Sequence, residues 1–231
     1  MKDIKKEFLR TMVNEIGYAE DYGYIIDTPV TVALPTQQII NSKNFELPQS
    51  LLDLYSKVAN LQVLWEIYEA DENMKQFKED PFLIEKYFKK DYDWGSVKNF
   101  ISGFINITNS NAIFNPEFNK QQAFYYTLQN KNENENDFFP FDIQSDITAC
   151  LKKDGDIIKD NIWLIHTTAE KVYDMQVTIE EYLQLAYEAK CLYHWQLVYI
   201  FKDKAEEYQI MKRFLPKIFS HVQLDLKDFG I

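Results

Sequence analysis

The chain is poor in glycine, with six among 231 residues. Glycine is what lets a backbone approach a phosphate closely or turn left-handed, so phosphate-cradling loops are not expected, and no glycine-rich nucleotide motif is present. Cysteine is scarcer still. Cys150 and Cys191 are too few for a disulfide framework and fit a reducing compartment. The three histidines, His166, His194 and His221, lie far apart, and neither His-x-x-x-His nor Cys-x-x-Cys occurs. A metal site needs several convergent ligands, so no metal and no cofactor is expected. No apolar run reaches the roughly 18–20 residues of a membrane span. Residues Met1 to Phe8 mix charges and lack the apolar stretch of a signal peptide. These absences predict a cytoplasmic protein with no membrane partner. Positive charge is also in deficit: 25 Lys and Arg against 36 Asp and Glu give a net charge of −11. Such a chain repels nucleic acid and attracts basic partners.

What the chain has is apolar and aromatic content, 46% and 16%, with 15 Tyr and 17 Phe. Ile4, Phe8, Leu9, Met12, Val13 and Ile16 recur at helical spacing. Thr28 to Leu34 is β-branched and bracketed by Pro29 and Pro35, which predicts extended structure. Pro48 suits the first position of a helix over 48–59, and Asn60 suits a left-handed stop after it. Strands are predicted over Leu61 to Tyr68, Gly103 to Thr108, Ala123 to Leu128 and Phe138 to Ile143. Asp80-Pro81 reads as the start of a short helix. Asn130 to Asp137 is polar and low in complexity, and reads as an exposed loop. Residues 146–151 and 157–166 should pair as a hairpin across Asp154-Gly155. Thr178 and Glu181 form a capping box opening a helix that carries Ile179, Tyr182, Leu183 and Ala186. A last helix is predicted from Asp203, with Met211, Phe214, Leu215 and Ile218 on one side and Pro216 kinking or restarting it. Strand signals cluster in the middle rather than alternating with helices. That predicts an α+β fold, one domain with a mainly antiparallel central sheet flanked by helices.

Catalytic chemistry finds little to rest on. A nucleophile needs an activating base. Cys150 and His166 sit on the two arms of the hairpin and form the one Cys/His arrangement worth weighing for a small hydrolase. Cys191 and His194 are a weaker version at a helix end. Asp154, Asp156 and Asp160 fail the spacing of a calcium loop. The carboxylate pairs Asp71-Glu72, Glu79-Asp80, Glu180-Glu181 and Glu206-Glu207 read as solvated faces. No enzyme is expected.

Several short motifs, taken in order, resemble a known scaffold. Phe45 to Tyr55 and Ala59 to Trp65 carry Leu47-Pro48, a helix ending in Leu54-Tyr55, then Asn60 and a Trp65-bearing strand. Gly103-Phe104-Ile105-Asn106-Ile107, Phe141-Asp142 and Thr178-Ile179-Glu180-Glu181-Tyr182-Leu183 follow, with Trp195-Gln196 after them. This series resembles the SUKH superfamily, the Smi/Knr-like domains, over roughly residues 35–200. Leu61 departs from the pattern, since the family often has glycine there, so the turn after Asn60 must differ. Trp195-Gln196 resembles a subgroup in which the closing helix leads to a final short strand. Residues 1–34 and 201–231 would be extensions, the latter packed on the same domain.

The resemblance implies an α+β domain without catalytic residues. Many bacterial members are immunity proteins that silence a toxin, and fungal relatives regulate cell-wall assembly. The expected function is therefore stoichiometric occlusion of a basic toxin domain, a nuclease among the options, with a regulatory interaction protein as the alternative. The acidic stretch Glu66, Glu69, Asp71 and Glu72 and the loop residues Glu133, Glu135 and Asp137 are the expected contact carboxylates. Tyr68, Phe77 and Trp94 are the expected aromatic anchors, since interface hot spots favour aromatics.

Overall fold

The computed structural model describes residues 14–15, 30–33, 45–67, 77, 79–86 and 101–231. The expected helix over 2–16 lies outside these, apart from Asn14 and Glu15, which are helical. The described strands are β1 (Val30–Ala33), β2 (Asn60–Glu66), β3 (Ser102–Ile107), β4 (Phe138–Ile143), β5 (Ile147–Asp154), β6 (Ile157–His166) and β7 (Lys171–Asp174). The described helices are α1 (Gln49–Tyr55), α2 (Pro81–Lys86), α3 (Pro116–Lys120), α4 (Ala123–Asn130), α5 (Ile179–Glu188), α6 (Trp195–Phe201) and α7 (Tyr208–Ile218). The strands form one sheet in sequence order, β1 to β7, and β3 through β7 pair antiparallel. The fold is α+β, as the clustered strand signals predict. Among the described residues no helix is long and apolar enough to cross a membrane.

The chain divides into two compact units. The first holds, among described residues, 31–33, 45–62 and 105–185. Its centre is the β5–β6 hairpin, turned at Gly155, whose φ of +63° is the left-handed conformation glycine takes without strain. On one face Phe124 and Leu128 of α4 cover Phe138, Cys150 and Ile165, with Trp163 and Val172 at the margin. Asp160 stitches two helices: it accepts from the Ile179 N–H at 2.9 Å and from the Ser50 hydroxyl at 2.8 Å. The capping box at Thr178 and Glu181 is formed, with the Thr178 N–H donating to Glu181 at 2.8 Å and the Glu181 N–H to Thr178 at 3.2 Å. Tyr55, buried in α1, donates to the Thr108 carbonyl at 2.7 Å.

The second unit holds 14–15, 30, 63–67, 77, 79–86, 101–104 and 186–231. Its core is aromatic: Trp65 lies edge-on to Phe219 at 5.5 Å, Phe77 against Phe214 at 5.2 Å and Trp195 against Phe229 at 6.3 Å. The Trp65 indole donates to the Lys190 carbonyl at 2.6 Å. Gly103 lies so close to that ring that a Cβ there would stand 1.9 Å from the indole nitrogen. Asp80 opens α2 by accepting from the Phe82 N–H at 3.0 Å, and Arg213 donates to both its oxygens at 2.9 Å.

Four local expectations need correction. Ala123 to Leu128 is helical. Phe124, Thr127 and Leu128 are buried at helical spacing while Tyr126 is 61% exposed, whereas a strand would have buried every second residue. Asn60 is not a helix stop but the first residue of β2. The helix is closed earlier, when the Lys57 and Val58 N–H groups turn back onto the Leu54 carbonyl at 2.9 and 3.0 Å. Leu61 is then simply a buried strand residue, and no glycine is required. Trp195-Gln196 starts a helix, not a strand. The last helix begins at Tyr208, after a 3₁₀ turn over Lys202–Lys204, and it runs two residues past Pro216.

Candidate protein-binding site

The acidic loop belongs to the first unit and is more ordered than its composition suggests. The Glu133 N–H bonds the Leu128 carbonyl at 3.1 Å, and Asn132 takes a left-handed φ of 56°. The Asn134 side chain then caps a 3₁₀ turn over Glu135–Asp137 by accepting from the Asn136 N–H at 3.3 Å. Short polar side chains do this well because they satisfy turn N–H groups locally.

The three carboxylates have different surroundings. Glu133 lies 3.5 Å from Lys152, and Asp137 lies 3.2 Å from Lys153. Glu135 instead accepts from the Gln129 amide at 3.2 Å and from the Tyr125 hydroxyl. Its own backbone N–H, then Gln129 and Tyr125, hold its carboxyl below the ordinary range. Tyr125 is correspondingly pushed up, first by burial and then by Glu135.

Behind this turn is a cavity of about 290 Å³. Phe45, Phe114, Phe138 and Phe139 form its aromatic wall, and Asn119, Tyr125, Glu135 and Asn136 its polar part. Phe45, Phe114 and Phe139 pack mutually at 5.0–5.9 Å. Lys153 lies over the Phe45 ring at 5.6 Å. Asn119, 6% exposed, is set by α3, whose first turn is capped by Asn115. Its amide donates to the Ile113 carbonyl at 3.3 Å, while its Oδ1 is buried and accepts no hydrogen bond from the described residues.

Of the expected contact residues, Glu133, Glu135 and Asp137 therefore share one ordered turn. Glu66 ends β2 and is half-buried. Phe77 is fully buried against Phe214, so it has no exposed ring to offer a partner. Tyr68, Glu69, Asp71, Glu72 and Trp94 lie outside the described residues. The pairs read as solvated faces also include two buried groups, Asp80 beside Arg213 and Glu207 beside His194 at 3.3 Å. The Asp80-Pro81 step held the signal for the first, an acceptor immediately before a helix start. The pocket residues Phe45, Phe114, Asn119, Tyr125 and Asn136 carried no periodic signal as a group, because they come from separate segments.

The Cys150–His166 arrangement does not assemble. Cys150 stands opposite Trp163, whereas His166 stands opposite Ile147. Three residues along a strand put Trp163 and His166 on opposite faces. Cys150 is fully buried and burial raises its thiol well above the ordinary value, while His166 lies 3.5 Å from Asp146. Cys191 is also buried, and the His194 ring stacks on Tyr193 at 3.7 Å. Among the described residues no group of His, Cys, Asp or Glu could hold a metal ion.

Compared with protein families, with curated proteins and with solved structures, the chain gives no match.

Proposed function

We propose that this chain is a non-catalytic binding protein of the SUKH type, an immunity protein that silences a basic toxin domain by covering its working surface. The observation that carries the reading is Glu135: a carboxylate at the rim of an aromatic pocket, held ionised, with no Lys or Arg paired to it among the described residues. A net charge of −11 would draw a basic partner to that rim from a distance. The motifs that carry the resemblance also support one another physically. Gly103 makes room for Trp65, and Tyr182 bonds Asp142. A nuclease, with a basic substrate groove, is the toxin chemistry such a rim would suit best.

The test is co-expression in a bacterial host with the toxin domain encoded beside this gene. Growth should be restored by the chain, and the purified pair should associate 1:1 with an on-rate that falls as salt rises. A gene neighbourhood without a toxin, or a toxin that kills regardless of the chain, overturns the reading and returns the regulatory alternative.

A further inference from the structure

Resting on the protein-binding reading, we infer that the pocket behind Glu135 receives one arginine side chain of a protein partner. Two features of the cavity converge on a guanidinium. Its wall is aromatic, and a planar cation stacks on ring faces where an ammonium meets them only as a point charge. Its rim carries an ionised carboxylate whose hydrogen-bond donors, its own N–H, Gln129 and Tyr125, are all neutral.

Other occupants fit less well. An anion is repelled by Glu135. An aliphatic side chain would fill the wall and bring no cation to the Glu135 carboxylate. The nearby lysines do not serve as an internal occupant for Glu135. Lys120 pairs with Glu117 at 2.9 Å, Lys152 lies 3.5 Å from Glu133, and Lys153 lies 3.2 Å from Asp137. The Lys153 ammonium over Phe45 does show that one ring of the wall already faces a cation.

The experiment titrates the full chain with capped tripeptides whose central residue is arginine, lysine, citrulline or norleucine, read by the NMR signals of the Asn119 and Asn136 side-chain amides. The arginine peptide should shift both. Citrulline, which keeps the shape and loses the charge, and norleucine should bind at least tenfold more weakly, and lysine should fall between. Glu135→Gln should weaken the arginine peptide about tenfold while keeping the folded circular-dichroism spectrum, since the amide oxygen can still accept from Gln129 and Tyr125. Equal binding of arginine and citrulline, shifts confined to other amides, or an unaffected Glu135→Gln variant would overturn the assignment. The two readings fail separately. A chain that neutralises its toxin but ignores the arginine peptide loses the pocket and keeps the function. A chain that binds the peptide and neutralises nothing keeps the pocket and loses the immunity reading.

Discussion

The Tyr182 hydroxyl donates to the Asp142 carboxylate at 2.7 Å, joining the closing helix α5 to the end of β4. Both groups are fully buried. Asp142 also accepts from the Asn106 N–H at 2.8 Å and from the Gln144 amide at 3.3 Å. A hydrogen bond to a charged group contributes roughly 1.5–3 kcal/mol, so Tyr182→Phe should lower stability by about that much. Urea unfolding read by circular dichroism measures it. A loss below about 0.5 kcal/mol would mean that Asp142 is neutral or served by water.

The same carboxylate makes stability pH-dependent. Burial pushes Asp142 up, and its three donors only partly offset that, so its folded value lies above the ordinary 3.8. A raised value favours the protonated form in the folded state. Its contribution is complete below about pH 3.8, the unfolded value, and is lost as pH rises through the folded value. Asp142→Asn does not titrate. The melting temperature of the parent minus that of Asp142→Asn should therefore fall as pH is raised from this range toward neutrality. A difference that grows with pH contradicts the assignment.

Gly103 and Trp65 form a matched pair. Gly103→Ala places a methyl 1.9 Å from the Trp65 indole nitrogen, and backbone or ring must move. Overpacking of this kind costs about 1–3 kcal/mol or more. If the clash is the cause, Gly103→Ala combined with Trp65→Leu should lose less than the sum of the single variants. Strict additivity in urea midpoints would place the defect elsewhere.

Lys190 and Glu15 form an ion pair at 2.8 Å, with the lysine side chain 3% and the glutamate 10% exposed. Removing one partner strands the other, and such losses run about 3–5 kcal/mol. Lys190→Met should cost that range, while Lys190→Met with Glu15→Leu should recover much of it. Thermal melts of the single and double variants distinguish this pair from a dispensable surface contact.

Both cysteines are buried, and the Cys150 thiol is raised by burial. Since the thiolate is the reactive form, neither should react with an aromatic disulfide reagent at pH 8 in the native protein. Two thiols should titrate after addition of denaturant. Rapid native labelling of Cys150 would reopen the nucleophile reading.

Strand and helix order was largely legible in the sequence, because burial there follows a period. Leu61, Val63 and Trp65 alternate, and Thr178 with Glu181 marks a helix start with two reciprocal bonds. The failures came where period and residue type disagreed. Ala123 to Leu128 is rich in strand-favouring aromatics, yet Phe124, Thr127 and Leu128 share a helical face. The acidic turn was visible as a polar run, and its three carboxylates were singled out together. The pocket beside it was not visible. Phe45 comes from the segment before α1, Phe114 and Asn119 from the α3 region, and Phe139 from β4, and only folding brings them to one cavity. Asn119 looks like any polar residue until its neighbours are known.

The sheet's sequential strand order has a kinetic consequence. Strands β4 to β7 are joined by connections of three, two and four residues, so each finds as its partner the strand synthesised just before it. Pairings of short sequence separation form quickly. This meander can zip up as it leaves the ribosome, whereas the bond from Tyr55 to Thr108 must wait for a closure across 53 residues. A nascent chain whose residue 174 has just cleared the ribosomal exit tunnel would thus already hold the β5–β6 ladder, with α5, and the Tyr182 that Asp142 needs, still to dock.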